Sequence, residues 1–222
     1  MEPVWVEDYR DKLRTFQKLG FSPRQLDLSN VVFNDEVTAT DLLDEFPGVE
    51  FLQISGNMPG KFLPGLKRHT SLKSICITLS PIYSSKCKFV IPKYVESISI
   101  FPMSILPGKV LEKLLTRAIS RRHKTPITLY LETPALILDM GRVTIPSEIR
   151  TIAVSQRRNH RDDFKTCMRE NGFVRKCRTD FSTIFERGLD RDQEEVEEEE
   201  EGFNGVVTLE DVLNKILNEF GS

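Results

Sequence analysis

The groups that could do chemistry in this chain are few: three histidines, four cysteines and a surplus of acids whose distribution is uneven. His69, His123 and His160 are scattered and have polar sequence neighbours, so each reads as a surface residue rather than a general base. Cys76, Cys87, Cys167 and Cys177 contain no C-x-x-C pair and read as reduced thiols of a cytosolic or nuclear protein. His160, Cys167 and Cys177 could approach a metal, but their spacing fits no common zinc pattern. Cysteines on a closing helix and turn read more simply as core. The chain has no Gly-rich phosphate loop and no G-x-S-x-G elbow. The residue types therefore point away from an enzyme, and away from any metal or cofactor.

Charge is the next source of chemistry. Residues 186–201 hold ten acids against two arginines, net −8, and residues 202–222 hold three acids against one lysine, net −2. With −2 on the whole chain, residues 1–185 carry +8. Eight of those basic residues fall within 155–178, against three acids. Arg157, Arg158, Arg161, Lys165 and Arg169, with Arg121, Arg122 and Lys124, form a set that could track phosphates. The set lacks the interleaved aromatics of a single-strand binder, so a solvated cap is the plainer reading. Residues 186–205 cannot build a core and are expected to be a disordered acidic linker, able to hover near the basic residues. No apolar run approaches the roughly 20 residues that span a bilayer, and the acidic opening MEPVWVEDYR lacks an apolar signal region.

The elements that position these residues recur. Val49-x-x-Leu52-x-Ile54-x-x-Asn57 is matched by Leu72-x-x-Ile75-x-Ile77, Val95-x-x-Ile98-x-Ile100 and Ile149-x-x-Ile152-x-Val154. Leu26-x-Leu28 and Leu129-x-Leu131 are looser copies. Residues 91–100 and 145–154 align without gaps from Ile91-Pro92 and Ile145-Pro146 onward. Apolar residues two apart share one face of a short strand, and the residue three before them enters the core from the preceding turn. Self-similarity at 20–29 residues resembles the leucine-rich-repeat family, over about residues 21–155. Ile and Val often stand for Leu here, and only one copy carries the Asn. The resemblance implies an α/β fold: a solenoid with a curved parallel sheet of about six strands. It is similar to nematode-type repeats that accompany F-box segments in ubiquitin adaptors, although an F-box would need a longer helical module than the one expected at the N-terminus. The acidic tail also resembles that of the acidic nuclear phosphoprotein group.

Five segments are expected. Residues 1–20 form a capping helix, with Val4, Trp5, Tyr9, Leu13 and Phe16 as its apolar face and Gly20 as its stop. Residues 21–155 form the arc. Its helices are expected at 35–46, capped by Thr40, and at 109–122, closed by Arg121, Arg122, His123 and Lys124. Extended convex-side segments are expected at 80–92 and 134–145. Residues 156–185 form a basic C-terminal cap, with Phe164, Cys167 and Met168 on a helix ended by Gly172. The linker 186–205 follows. Residues 206–222 open with the capping box Thr208-Leu209-Glu210-Asp211 and form an amphipathic helix that presents Leu209, Val212, Leu213, Ile216, Leu217 and Phe220.

Function then falls to surfaces. Between the apolar strand residues lie Asp27, Ser29, Phe51, Gln53, Ser55, Ser74, Cys76, Thr78, Ser97, Ser99, Phe101, Thr128, Tyr130, Glu132, Thr151, Ala153 and Ser155. Most are small or hydroxylated, so a partner's backbone could approach, and Phe51, Phe101 and Tyr130 could anchor it. The expectation is a non-enzymatic protein-interaction module or adaptor, cytoplasmic or nuclear, that binds another protein. Its partner would meet the concave face at Phe51, Gln53, Ser55, Ser74, Thr78, Ser99, Phe101 and Tyr130. A second docking element would be the C-terminal helix, through Leu209, Leu213, Ile216, Leu217 and Phe220. The alternative is an RNA- or chromatin-associated factor that uses the basic residues.

Overall fold

A computed structural model describes residues 3–34, 36–55, 63, 65–79, 90–119, 123–155, 162–178 and 182–188. The repeated alternation builds one large open sheet. Its strands are β2 (Gln25–Asp27), β4 (Phe51–Ser55), β5 (Ser74–Leu79), β6 (Ser97–Pro102), β8 (Ile127–Leu131), β10 (Ile149–Ser155), β11 (Phe173–Arg178) and β12 (Ser182–Arg187). They lie in the order β11-β12-β10-β8-β6-β5-β4-β2. From β2 to β10 every neighbouring pair is parallel, and each of these strands lies beside the next one in the chain. Two short parallel pairs flank the sheet: β1 (Val4–Trp5) with β3 (Val31–Val32), and β7 (Leu106–Pro107) with β9 (Ile137–Leu138).

Register explains why the repeats fold this way. Leu26, Leu52, Ile75, Ile98, Leu129 and Ile152 stand side by side across the six parallel strands. Ile54, Ile77, Ile100, Leu131 and Val154 form a second row two residues on. All eleven are at most 1% exposed, and burying each is worth about 1.5–3 kcal/mol. Val49, Leu72, Val95 and Ile149, the residues three before, are each 0% exposed, as their spacing implies. Backbone bonds continue the ladder into the turns: Glu50 N–H to Arg24 O at 2.8 Å, Lys73 N–H to Glu50 O at 2.9 Å and Glu96 N–H to Lys73 O at 2.7 Å.

Helices α1 (Val6–Lys18), α2 (Ala39–Glu45), α3 (Gly108–Ala118) and α4 (Asp162–Glu170) feed the same core. The expected face of α1 is only half right. Val6 and Leu13 are buried and Tyr9 packs against the core, but Trp5 and Phe16 are more than half exposed. Two apolar stripes run along this helix, and the core takes the one through Val6. Arg10 and Arg14 on α1 both pair with Glu45 of α2. The cap of α2 is Thr38 rather than Thr40. Thr38 and Asp41 form a reciprocal capping box, while the Thr40 side chain is buried and its hydroxyl lies 2.8 Å from that of Thr38. Helix α3 ends at Ala118, four residues short of expectation, because Ile119 is extended and the Ala118 carbonyl accepts the Ile91 N–H at 3.0 Å. His123 and Lys124 therefore do not close it. Residues 134–145 are not simply extended: 3-10 turns at Pro134–Leu136 and Met140–Arg142 bracket β9.

The largest correction is at the C-terminal end. Helix α4 buries Phe164, Cys167 and Met168 and ends before Gly172, whose φ is +73°. Asn171 ties this end down: its Oδ1 accepts from Ile145 N–H at 2.8 Å, and its Nδ2 donates to Val143 O and Cys167 O, both at 2.9 Å. The chain then adds β11 and β12 as an antiparallel hairpin against β10, so among the described residues the sheet has eight strands instead of about six. Glu186 and Arg187, assigned above to the acidic linker, belong to β12. Phe185 packs edge-to-face on Phe164, with ring centres 5.7 Å apart. Arg187 Nε donates to Ile149 O at 3.2 Å, and one terminal nitrogen of its guanidinium donates to Ile145 O and Pro146 O at 3.1 Å. The same guanidinium lies 4.5 Å from the Phe173 ring centre.

Candidate functional site

Opposite the core, the same register gathers the other side chains into rows. One row runs Gln25, Phe51, Ser74, Ser97, Thr128, Thr151 and Glu186. The next runs Asp27, Gln53, Cys76, Ser99, Tyr130, Ala153 and Ile184. A third includes Ser55, Thr78 and Phe101, with Ser155 and Ser182 further along. Phe51, Gln53, Ser55, Ser74, Thr78, Ser99, Phe101 and Tyr130 are thus brought onto one face, drawn from four strands that are distant in sequence. Tyr130 is 45% exposed and Phe101 39%; the other six are half-buried.

Several of the hydroxyls are already engaged. Ser97 Oγ donates to Ser74 Oγ at 2.7 Å, and Thr78 Oγ1 donates to Ile54 O at 3.2 Å. Asp27 Oδ1 accepts from both the N–H and the Oγ of Ser29, at 3.0 and 2.6 Å, which orders the turn that leaves β2. The backbone N–H of Asp27 donates to the Tyr9 hydroxyl at 3.2 Å. At β8, the Glu132 N–H bonds Ile100 O at 3.1 Å, so the alternation runs one residue past the strand and aims Glu132 to this face. Cys76 and Ala153 share the face but are 5% and 9% exposed, so they are floor rather than contact surface. Burial, together with the Asp27 and Glu132 carboxylates, pushes the Cys76 thiol up to about 11, which keeps it protonated and unreactive at neutral pH.

The other candidate chemistry disperses. His69 is buried rather than on the surface. Its Nε2 has no hydrogen-bond partner, the nearest carboxylate oxygen being Asp44 Oδ1 at 3.8 Å. Burial lowers its pKa, against the raising effect of Asp44. His123 is half-buried and uses Nε2 on Val95 O at 2.8 Å. Cys167 is buried and pushed up to about 12 by burial and Glu170, whereas Cys177, read above as core, is exposed on the edge strand β11. His160 and Cys87 lie outside the described residues. Among the described residues no three His, Cys, Asp or Glu side chains are placed to hold a metal. Of the basic set, Lys165 and Arg169 are exposed on α4 and Lys124 lies against the Tyr94 ring; Arg121, Arg122, Arg157, Arg158 and Arg161 lie outside the described residues. So do Asn57, residues 80–89, the acidic run from residue 189, and the segment with Leu209, Leu213, Ile216, Leu217 and Phe220.

The sequence reading missed Ser182, Ile184 and Glu186, which carry the face across β12. The signal is the β-branched and aromatic run Thr183-Ile184-Phe185, with Phe173-Val174 before it, hidden among charges. Comparison with protein-family models, with characterised proteins and with solved structures finds no match. Among the described residues no helix is long and apolar enough to cross a membrane.

Proposed function

We propose that the chain is a non-enzymatic protein-interaction module, a short leucine-rich-repeat-like solenoid whose open sheet face receives a partner protein. The observation that carries this reading is the register. Parallel strands follow one another in chain order and place small polar side chains in rows, interrupted by the exposed rings of Phe101 and Tyr130. A core does not need aromatic residues on its wet side. An interface does, because a few aromatic anchors surrounded by small neighbours supply most of its energy.

The test is site-specific photocrosslinking in native extract. A benzophenone amino acid replaces Tyr130 in one protein and Lys113, exposed on α3, in another. The reading expects a discrete protein adduct from position 130 that survives nuclease treatment, and none from position 113. Phe101→Ala, placed in the protein that carries the crosslinker at position 130, should cut the adduct about tenfold. Equal adducts from both positions, or nuclease-sensitive ones, would refute it.

A further inference from the structure

The face has a charge pattern that its resemblance to any repeat does not supply. Across the three rows of the six parallel strands there is no Lys or Arg. There are two carboxylates, Asp27 on the outermost strand and Glu132 just beyond β8, and Glu186 extends the acidic character onto β12. Asp27 and Glu132 are separated by four strand spacings and one step along the strands, about 20 Å. Between them lie Gln53, Cys76, Thr78 and Ser99, none of them charged or aromatic. The rings of Phe101 and Tyr130 stand next to Glu132, since Ile100 pairs with Leu131 and Ser99 with Tyr130. The two carboxylates act on the same ground: both raise the pKa of the Cys76 thiol, which lies in the strand midway between them.

We propose that this face takes an extended, basic segment of a partner protein, lying across the strands with one cationic side chain at Asp27 and another at Glu132. The inference rests on the interaction reading above and names the chemistry of its partner. An extended chain advances about 3.3 Å per residue, so 20 Å corresponds to about six residues. Six is even, and residues an even number apart point the same way from an extended chain. The expected pattern is therefore Lys or Arg at i and i+6, with small residues between that let the backbone settle over Cys76 and Ser99. The cation at Glu132 would also meet the faces of Tyr130 and Phe101, where ring electrons favour it. A nucleic acid is disfavoured on this face, because phosphates would meet the same carboxylates.

The experiment is selection of a phage-displayed random twelve-residue peptide library on the full chain, then on the double variant Asp27→Asn/Glu132→Gln. Asp27→Asn keeps the Oδ1 that accepts from Ser29, so the turn survives while the charge goes. Glu132→Gln alone provides a second, independent variant. The expected result is enrichment of peptides with two basic residues about six apart, lost on the double variant. A synthetic copy of a selected peptide should bind the double variant about tenfold more weakly, and should bind the wild type more weakly as salt rises. Tyr130→Ala should abolish its binding. Peptides that need Tyr130 but carry no basic pair, or that bind the double variant unchanged, overturn this inference and leave the interaction reading standing. Peptides indifferent to Tyr130→Ala and Phe101→Ala, or no enrichment at all, overturn both.

Discussion

Arg187 is the residue whose role is most at odds with its neighbourhood in sequence, and it yields the sharpest stability prediction. It sits at the head of an acidic run, yet its guanidinium closes three backbone carbonyls, those of Ile145, Pro146 and Ile149, and stacks on Phe173. Hydrogen bonds to charged groups contribute about 1.5–3 kcal/mol each, and a ring contact about 0.5–2 kcal/mol. Against this stands the desolvation of a half-buried cation, which lowers its pKa without discharging it. Half-burial also places each bond at the weak end of its range. Arg187→Met keeps much of the aliphatic stem and removes the donors; it should cost about 2–4 kcal/mol, a fall of about 5–12 °C in the unfolding midpoint for a chain of this size. Arg187→Lys keeps the charge but not the planar fork, so it should recover less than half of the loss. Urea unfolding of full-length protein, with midpoint and slope both recorded, measures these values. A loss under about 0.5 kcal/mol for Arg187→Met, at unchanged slope, would show that the carbonyls are as well served by water and that the hairpin does not depend on this clamp.

Three further outcomes are expected. Gly108→Ala should destabilise by about 1–3 kcal/mol, because a Cβ there meets Val143 Cγ2 at 2.7 Å and the carbonyls of Leu138 and Asp139 at 2.8 and 3.0 Å; the helix-propensity argument alone gives the opposite sign, so thermal unfolding decides between them. Leu52→Ala, at a fully buried position in the middle of a core row, should cost about 2–5 kcal/mol, and an unchanged thermal midpoint would contradict the register. His69 carries a pH effect. Its folded pKa lies below the ordinary value, so as pH falls through about 6.5 the unfolded chain takes up the proton first, and stability present above that pH is lost below it. The urea midpoint measured from pH 7.5 down to 5.5 should therefore fall less steeply in His69→Gln than in the wild type, and parallel curves would refute the assignment.

Most of the sheet could be read from the chain because a half-buried strand writes its own period. Leu52 and Ile54, or Ile98 and Ile100, are two apart, and no helix would bury both on one face without burying the residue between. What could not be read fell into two kinds. In β12 buried and less buried positions alternate, but in β11 Phe173 alone is buried and the exposed positions hold Arg175, Lys176 and Arg178, so composition over any window there is dominated by charge. An edge hairpin with one wet face looks polar on average even when Phe173, Thr183 and Phe185 are buried. In α1 the difficulty is the reverse. Trp5 and Phe16 are apolar and correctly spaced for a helix face, but so are Val6, Tyr9 and Leu13, and only the position of the sheet chooses between the stripes. His69 was misread for a third reason: polar sequence neighbours say nothing about burial after a 3-10 turn, and Leu66–Arg68 folds it inward.

The candidate face follows the same logic with one further step. Period two assigns Gln53, Ser74 and Tyr130 to a face, but not to a surface. Whether a side chain on that face can be touched depends on the bulk of its neighbours in the adjoining strands, which is why Cys76 and Ala153 are floor and Phe101 and Tyr130 are relief. A sheet built from near-repeats puts similar side chains at similar heights, so the row from Ser74 through Ser97 and Thr128 to Thr151 is nearly uniform and can discriminate little between partners. Discrimination must come from the positions that break the rows. These are Asp27 at one end and Phe101, Tyr130 and Glu132 at the other. Their separation is fixed by strand order and register, neither of which a single chain states. If binding at this face is specific, substitutions at those four positions should change which partner is chosen, whereas exchanges of Ser for Thr along the uniform row should change affinity alone.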